Sequence, residues 1–344
     1  MPETFLSLPV EDRADIINAG AARLGRSPVV LEKDVWVCWA LHHLFSITNR
    51  PRMAFKGGTS LSKVFDVIHR FSEDIDITID YRDLGLKGDP FDAGISRGAQ
   101  KRFSDELKAL LKSYAQTVVK PHLESALDTE LGKGKGAVRL RDDGEKLWVD
   151  YPSGIKSADA YFRSSVLVEL GGGNITEPNQ AHSLKPYLAV IAETVAFQDA
   201  NPDVLAAERT FWEKATLIHV ECNRKEVKDN AERMVRHWSD LAMLAQSDIG
   251  PKALADRAML ASVVKHKNVF FYASYANYEA CLNGGLRLVP DGPLRAALKS
   301  DLKSMVDEGM FFGDEPDFEK IIEVLADLEK RINAYPKEEA NEVL

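Results

Sequence analysis

Cysteine is scarce in this chain, and its scarcity is the first constraint. Cys38, Cys222 and Cys281 are all there are in 344 residues, odd in number and far apart. That excludes a disulfide framework and offers no zinc-type pairing, so each thiol is expected as a small buried hydrophobe in a reducing compartment. Long hydrophobic runs are missing too: nothing approaches the ~20 apolar residues that a membrane span needs. Residues 1–15, MPETFLSLPVEDRAD, bring early acids and no basic-then-apolar leader. No secretory signal is therefore expected, and the expected location is cytoplasmic. Internal repeats and low-complexity tracts are absent. A basic excess is absent as well, since 44 Lys and Arg face 53 Asp and Glu for a net charge of −9. The chain as a whole has no electrostatic pull toward nucleic acid.

What remains is an ordinary globular composition, 45% hydrophobic and 28% charged. It is long enough for one large or two ordinary domains with real cores. Charge is unevenly spread. Lys101, Arg102, Lys108, Lys112, Lys120, Lys133, Lys135, Arg139 and Arg141 form a locally basic stretch, while acids gather in the C-terminal third. The stretch is read equally well as a phosphate-tracking patch and as a solvated helix face followed by a Gly-Lys loop.

The most informative segment is residues 55–80, FKGGTSLSKVFDVIHRFSEDIDITID. A short apolar approach ends in Gly57-Gly58-Thr59, and Leu61, Val64, Phe65 and Ile68 then suggest a helix over 60–69. A strand over 73–80 alternates Asp74, Ile75, Asp76 and Ile77, which puts the two aspartates on one face and the isoleucines in the core. Paired carboxylates with no basic partner in the same run suit a hard divalent cation such as Mg²⁺. A glycine turn opening a helix presents N–H groups and a positive dipole end to phosphate. Either feature alone is commonly structural. Their succession is the machinery of nucleotidyl transfer.

Helices are expected over Val10 to Leu24 and, after Ser27-Pro28, over Val29 to Phe45. A strand over 52–58 precedes the glycine turn, and a long amphipathic helix occupies 95–119. The stretch AVRLRDDGEKLWVDYP reads as a hairpin turning at Asp143-Gly144, with Leu140, Leu147 and Val149 inward. Residues 165–171 form a further strand carrying Glu169. Were that strand to lie beside the Asp74/Asp76 strand, Glu169 would serve as a third carboxylate or as the acceptor of a hydroxyl proton. Beyond residue 200 the pattern is helical, with no convincing strand. There Lys214, set among Phe211, Trp212, Ala215 and Leu217, needs an anionic partner, either an internal acid or a phosphate. Asp240 stands similarly among Trp238, Leu241 and Met243, with Arg236 at i−4 as one partner. His237, His42 and His43 show no ligand-like spacing and are expected at the surface or in packing.

Together these segments resemble the AbiEii family of nucleotidyltransferase toxins, relatives of the MenT toxins in the DNA polymerase β-like superfamily. The resemblance rests on Lys56-Gly57-Gly58-Thr59-Ser60-Leu61 and on Arg70-Phe71-Ser72-Glu73-Asp74-Ile75-Asp76. Supporting it are Glu32-Lys33-Asp34, the run Glu208 to Lys214, Arg236 to Leu241, Lys265-His266-Lys267 and Met305 to Phe312. It implies an α+β fold: a mixed sheet with flanking helices over 1–195 and an all-helical lobe over 196–344, with the active site in the cleft between them. It further implies that Lys56, Gly57, Gly58, Thr59, Ser60 and Arg209 hold a nucleoside triphosphate (NTP). Asp74 and Asp76 would bind Mg²⁺ or Mn²⁺, Lys214 would bind phosphates, and Asp240 would complete the catalytic set. The implied partners are an NTP, an acceptor such as tRNA, and a cognate antitoxin, with no membrane. A protein hydroxyl as acceptor, or a module that binds nucleotide or antitoxin without catalysis, are the competing functions.

Overall fold

The computed structural model describes residues 3–92, 94–155, 164–192, 194–226 and 233–334. Helices α1 (Val10–Leu24) and α2 (Pro28–Phe45) lead into strand β1 (Met53–Lys56), the short helix α3 (Gly57–Lys63) and strand β2 (Ile75–Ile79). Helices α4 (Arg97–Tyr114) and α5 (Lys120–Leu131) are joined through a π-helical turn at Ala115–Val119. Strands β3 (Ala137–Leu140), β4 (Lys146–Asp150), β5 (Ser165–Gly171), β6 (Asn179–Ala181) and β7 (Asp203–Leu205) follow. Helices α6 (Ala207–Cys222), α7 (Arg236–Gln246), α8 (Ile249–Ala255), α9 (Arg257–Phe270), α10 (Gly292–Asp307) and α11 (Phe318–Asn333) complete the described chain.

Two compact units are formed, and they interleave in sequence. The first comprises 1–64, 72–88 and 105–204; the second comprises 65–71, 89–104 and 205–344. The first unit is built on a seven-stranded mixed sheet in the order β3-β4-β5-β2-β1-β7-β6. Strand β2 runs antiparallel to β1 and parallel to β5, while β4 runs antiparallel to β5. Ile75, Ile77, Val166, Val168, Leu147 and Val149 are buried from three adjacent strands, which is the period-2 alternation expected of half-buried strands. Helix α2 is buried on every side, with Trp36 and Trp39 fully enclosed and Trp36 stacked on Tyr151 at 4.7 Å.

Among its described residues the second unit is built mainly of helices, with an isolated bridge between Arg70 and Phe311. Its core holds Phe211, Trp212, Trp238, Leu241, Leu260 and Leu325. Both tryptophans satisfy their indole N–H: Trp212 donates to the Ala253 carbonyl at 3.1 Å, and Trp238 to that of Leu288 at 3.0 Å. A buried indole left unpaired would lose one to three kcal/mol, about the worth of several buried methylenes.

Several boundaries differ from those expected of the sequence. Helix α3 ends at Lys63, where the pattern suggested a helix to residue 69. Asp66 takes φ 49°, which halts a right-handed helix, and Ile68 is buried in the second unit. The strand expected over 73–80 begins only at Ile75, so Asp74 stands one residue before it. A strand does occur after residue 200: β7 pairs in parallel with β1 through Phe55 and Val204. The helix expected over 95–119 continues through the π turn into α5. Pro121, which lacks an N–H and would clash with the carbonyl four residues back, sits just after the widened turn that accommodates it. In the hairpin, Leu147 and Val149 are buried as expected, Leu140 is half-buried, and Val138 is the buried residue of β3.

Gly144, at the tip of that hairpin, has φ 79°, and a Cβ there would lie 2.4 Å from Cα of Lys112 on α4. Gly144→Ala is expected to lower stability by roughly 1–3 kcal/mol through backbone strain and overpacking. Urea denaturation monitored by circular dichroism measures that loss.

Candidate active site

Strand β1 delivers the chain to Gly57, whose φ of 81° lies in the left-handed region. A Cβ at this position would lie 2.0 Å from Oδ2 of Asp76 and 2.8 Å from its Cγ. Glycine is therefore required twice, by the backbone angle and by the carboxylate packed against it. The next two side chains are turned inward. The fully buried Thr59 hydroxyl donates to the Asp74 carbonyl at 2.6 Å and lies 3.0 Å from the Ser72 hydroxyl. The buried Ser60 hydroxyl donates to the Gly57 carbonyl at 2.9 Å. These hydroxyls tie the turn to the approach of β2. Gly58 is buried beside them.

The sheet lines up a row of charges on one face. Lys56 on β1 is the register partner of Asp76 on β2, Asp76 is that of Glu169 on β5, and Glu169 is that of Lys146 on β4. All four are half-buried. Cross-strand partners share a face, so the row reads plus, minus, minus, plus, with an ion pair between Lys146 and Glu169 at one end. Glu169 thus occupies the strand neighbouring Asp76. Among the described residues, however, no three His, Cys, Asp or Glu side chains group closely enough to hold a metal.

Helix α2 braces this region with three consecutive charges that point in different directions. Glu32 accepts from the Ser153 hydroxyl at 2.5 Å and from the Gly154 N–H at 2.9 Å. Burial raises its carboxyl above the usual range against those bonds. Lys33 pairs with Glu73, beside Asp74. Asp34 pairs with Lys63 at the end of α3 and accepts the Tyr187 N–H at 2.6 Å. Removing one partner from such a buried pair strands a charge, at a cost of several kcal/mol.

In the second unit the fully buried Asp240 accepts from Arg70 in bidentate fashion, Nε at 2.7 Å and Nη2 at 2.8 Å. Lys214 Nζ lies 2.8 Å from the same carboxylate. Of the two kinds of anionic partner expected for Lys214, an internal acid or a phosphate, the structure supplies the acid, Asp240. Burial alone would raise the Asp240 carboxyl, but the Arg70 and Lys214 charges hold it well below the usual range. Burial pulls Lys214 below the usual lysine value against the pull of Asp240. Two cations share one carboxylate. His237, half-buried, is pushed far below the usual imidazole value by burial and then by Lys214, which leaves it neutral at pH 7.

Arg209 lies inside the packing of α6 and α9, at 1% exposure, 3.6 Å from Glu213 Oε1 and 3.4 Å from the Ser262 hydroxyl. Lys267 donates to the Glu213 carbonyl at 2.7 Å, one residue before Lys214. The role of Arg70 is the residue assignment that sequence reasoning missed. Its position in the Arg70-to-Asp76 string was visible, but its partner lies 170 residues away.

A glycine turn thus packs against a strand carboxylate, with Asp74 just before that strand. The profile of the AbiEii family, described as nucleotidyl transferase AbiEii toxin of type IV toxin–antitoxin systems, matches residues 39–324. The chain belongs to that family and is a nucleotidyltransferase. Among solved structures, it is similar to the MenT4 nucleotidyltransferase toxin of Mycobacterium tuberculosis H37Rv. Identity is 18%, the match covers 95% of this chain and 96% of that one, and the TM-score is 0.47. No curated protein matches. No helix among the described residues is long and apolar enough to cross a membrane.

Three substitutions have distinct expected outcomes. Gly57→Ala should lower transfer activity about a hundredfold or more by displacing Asp76. Gly25→Ala, with φ 62° but open space around it, should cost only about 1 kcal/mol of backbone strain and leave activity intact. Asp240→Asn should destabilise the protein by roughly 3–5 kcal/mol at pH 7, because Arg70 and Lys214 lose their charge partner. The folded carboxyl lies below its unfolded value of about 4, so its contribution is present above that pH and lost as pH falls below it. Denaturation from pH 7 to 2, followed by tryptophan fluorescence, should show a shallower acid slope in Asp240→Asn than in wild type.

Proposed function

We propose that this protein is a toxin that transfers a nucleoside monophosphate from an NTP to the 3′ end of tRNA, and so blocks translation in the cytoplasm. The observation that carries the reading is the Asp76 carboxylate held against the Gly57 turn. The turn proposed to hold phosphate and a carboxylate proposed to hold metal thereby lie side by side. In the proposed reaction the acceptor hydroxyl oxygen attacks the α-phosphorus, the α–β phosphoanhydride bond breaks, and pyrophosphate leaves. The hydroxyl proton passes to Glu169, which Lys146 must then release.

The fit for a divalent cation is that of a two-carboxylate site. Mg²⁺ is commonly held by one or two carboxylates, with substrate phosphates and water filling the other positions. Asp74 and Asp76 supply that number, and Mn²⁺ suits the same donors. When bound, such an ion neutralises charge on the phosphates. The N–H groups of Gly57, Gly58, Thr59 and Ser60, together with Lys56, are proposed to hold the triphosphate. Thr59 and Ser60 would contribute main chain only, since their hydroxyls are committed to the turn. Lys214, paired with Asp240 on the neighbouring helix, is proposed to bind phosphate. Arg209 is proposed to support the nucleotide site from within the helical packing. A cognate antitoxin is implied by the family's type IV system.

A hydroxyl on a protein is the second reading, and one observation favours it. Three of the nine cations of the basic stretch are answered by nearby acids: Arg139 pairs with Asp150, Arg141 with Asp143, and Lys120 with Glu124. Those charges therefore offer RNA little.

Incubation with each α-labelled NTP, Mg²⁺ and total tRNA, followed by a denaturing gel, tests both readings. Label in the RNA band, reduced about a hundredfold or more in Asp76→Ala, is the expected outcome. Label on protein alone would support the second reading, and an Asp76→Ala protein as active as wild type would overturn the site.

A further inference from the structure

In the second unit, α9 ends at Phe270 and the chain runs on through Phe271, Tyr272 and Tyr275. Phe271 is 49% exposed and Tyr272 55%; the other large hydrophobic side chain comparably exposed among the described residues is Val190, in the first unit. Exposed neighbouring rings lose hydrophobic stabilisation, so they call for a reason. Cations lie over the rings of this surface. The Arg97 guanidinium sits 4.3 Å from the Tyr272 ring centre, and Arg224 sits 4.7 Å from that of Tyr275. Lys265 Nζ lies 5.3 Å from the ring of Phe91, which packs edge-on against Phe270 at 6.1 Å. Arg97 is fixed from below by Asn268, donating to its carbonyl at 2.7 Å and to its side-chain oxygen at 3.1 Å. Its flat face is therefore held in place. Of the nearby acids, Glu221 is engaged by Arg224, and Glu279 accepts from Asn268.

We infer that the exposed rings of Phe271 and Tyr272, with Arg97 over the Tyr272 ring, form a docking platform for single-stranded RNA. Aromatic rings accept unstacked bases on their faces, and interleaved cations meet the phosphates between them. A duplex hides its base faces and would gain only the charge. The platform uses none of the residues proposed for the nucleotide site, and it deepens the proposed RNA acceptor by giving it a surface; it rests on that reading. It also explains how a chain of net charge −9 engages RNA, through a local arrangement and not through overall charge.

The test is fluorescence anisotropy of the full chain, without NTP, on a labelled RNA hairpin with a single-stranded 3′ tail and on the same hairpin fully paired. Tyr272→Ala, Phe271→Ala, Arg97→Ala and Tyr272→Phe would be compared, with Val190→Ser as control and label transfer to tRNA run in parallel. Wild type is expected to prefer the tailed hairpin. Tyr272→Ala and Phe271→Ala should each weaken binding about tenfold, the scale of one lost base stack. Tyr272→Phe should bind like wild type. Arg97→Ala should lower the slope of log affinity against log salt by about 0.7, the value for one single-strand phosphate contact. RNA labelling unchanged across all ring variants, with unchanged binding, would overturn the platform and leave the tRNA reading standing. Ring-dependent binding without label in RNA would uphold the platform and sink the acceptor. Equal affinity for paired and tailed hairpins, or ring variants that lose only an antitoxin protein, would overturn the inference.

Discussion

The close approach of the Gly57 main chain to the Asp76 carboxylate sets the terms for the first unit. A side chain at 57 would occupy the space of that carboxylate, so two residues nineteen positions apart in sequence are fixed as one object. Keeping them together requires β1 and β2 to pair in the register that sets Lys56 opposite Asp76. It also requires the connection from α3 to return in line. That return is stitched by the Thr59 hydroxyl on the Asp74 carbonyl, and α2 then clamps its two flanks through Lys33–Glu73 and Asp34–Lys63. The polar groups nearest the turn thus position the stretch that carries the carboxylates.

Both units spend stability on buried charge. A helix such as α2, enclosed on every side, would be most simply stabilised by apolar residues, and a fully buried aspartate such as Asp240 is costly unless surrounded by donors. Each is surrounded. Asp240 receives three charge-assisted hydrogen bonds from two cations, which is why its carboxyl stays ionised where burial would otherwise protonate it. Such arrangements specify geometry more than they add net stability, since any shift that breaks one bond leaves an unpaired charge behind. The same logic explains the tail motif: Met310 accepts the Phe71 N–H at 2.7 Å and Phe312 donates to the His69 carbonyl at 2.8 Å. These bonds fix the strand-like segment that carries Arg70.

Much of this was legible in the sequence, and the illegible parts have physical reasons. Strand β2 declared itself because Ile75 and Ile77 alternate with polar residues, and the hairpin because Asp143-Gly144 sits between alternating runs. The placement of Glu169 beside Asp76 could be posed as a condition, since an adjacent strand has only two possible faces. Helix α3 was overextended because Val64, Phe65 and Ile68 continue its apolar spacing. Ile68 is apolar for a different reason, being buried in the second unit. Strand β7 escaped because three residues after Asn201-Pro202 give no period to detect. The partner of Lys214 was expected to be some anion, but Arg70, Lys214 and Asp240 are brought together only by tertiary packing, which local pattern cannot encode.

The string Arg70-Phe71-Ser72-Glu73-Asp74-Ile75-Asp76 reads in sequence as one motif, yet the chain divides it. Arg70 and Phe71 belong to the second unit, and everything from Ser72 onward to the first. Arg70 bonds a carboxylate from α7, while Glu73, at the middle of the string, pairs with a lysine from α2. Seven contiguous residues therefore carry anchors for two separate polar networks. A short string can be dense in charged residues without those residues acting on each other, because an extended backbone separates neighbours by about 3.3 Å each and sends them to opposite faces. The spacing within such a motif is then a constraint on where two networks begin, which neither network alone would impose.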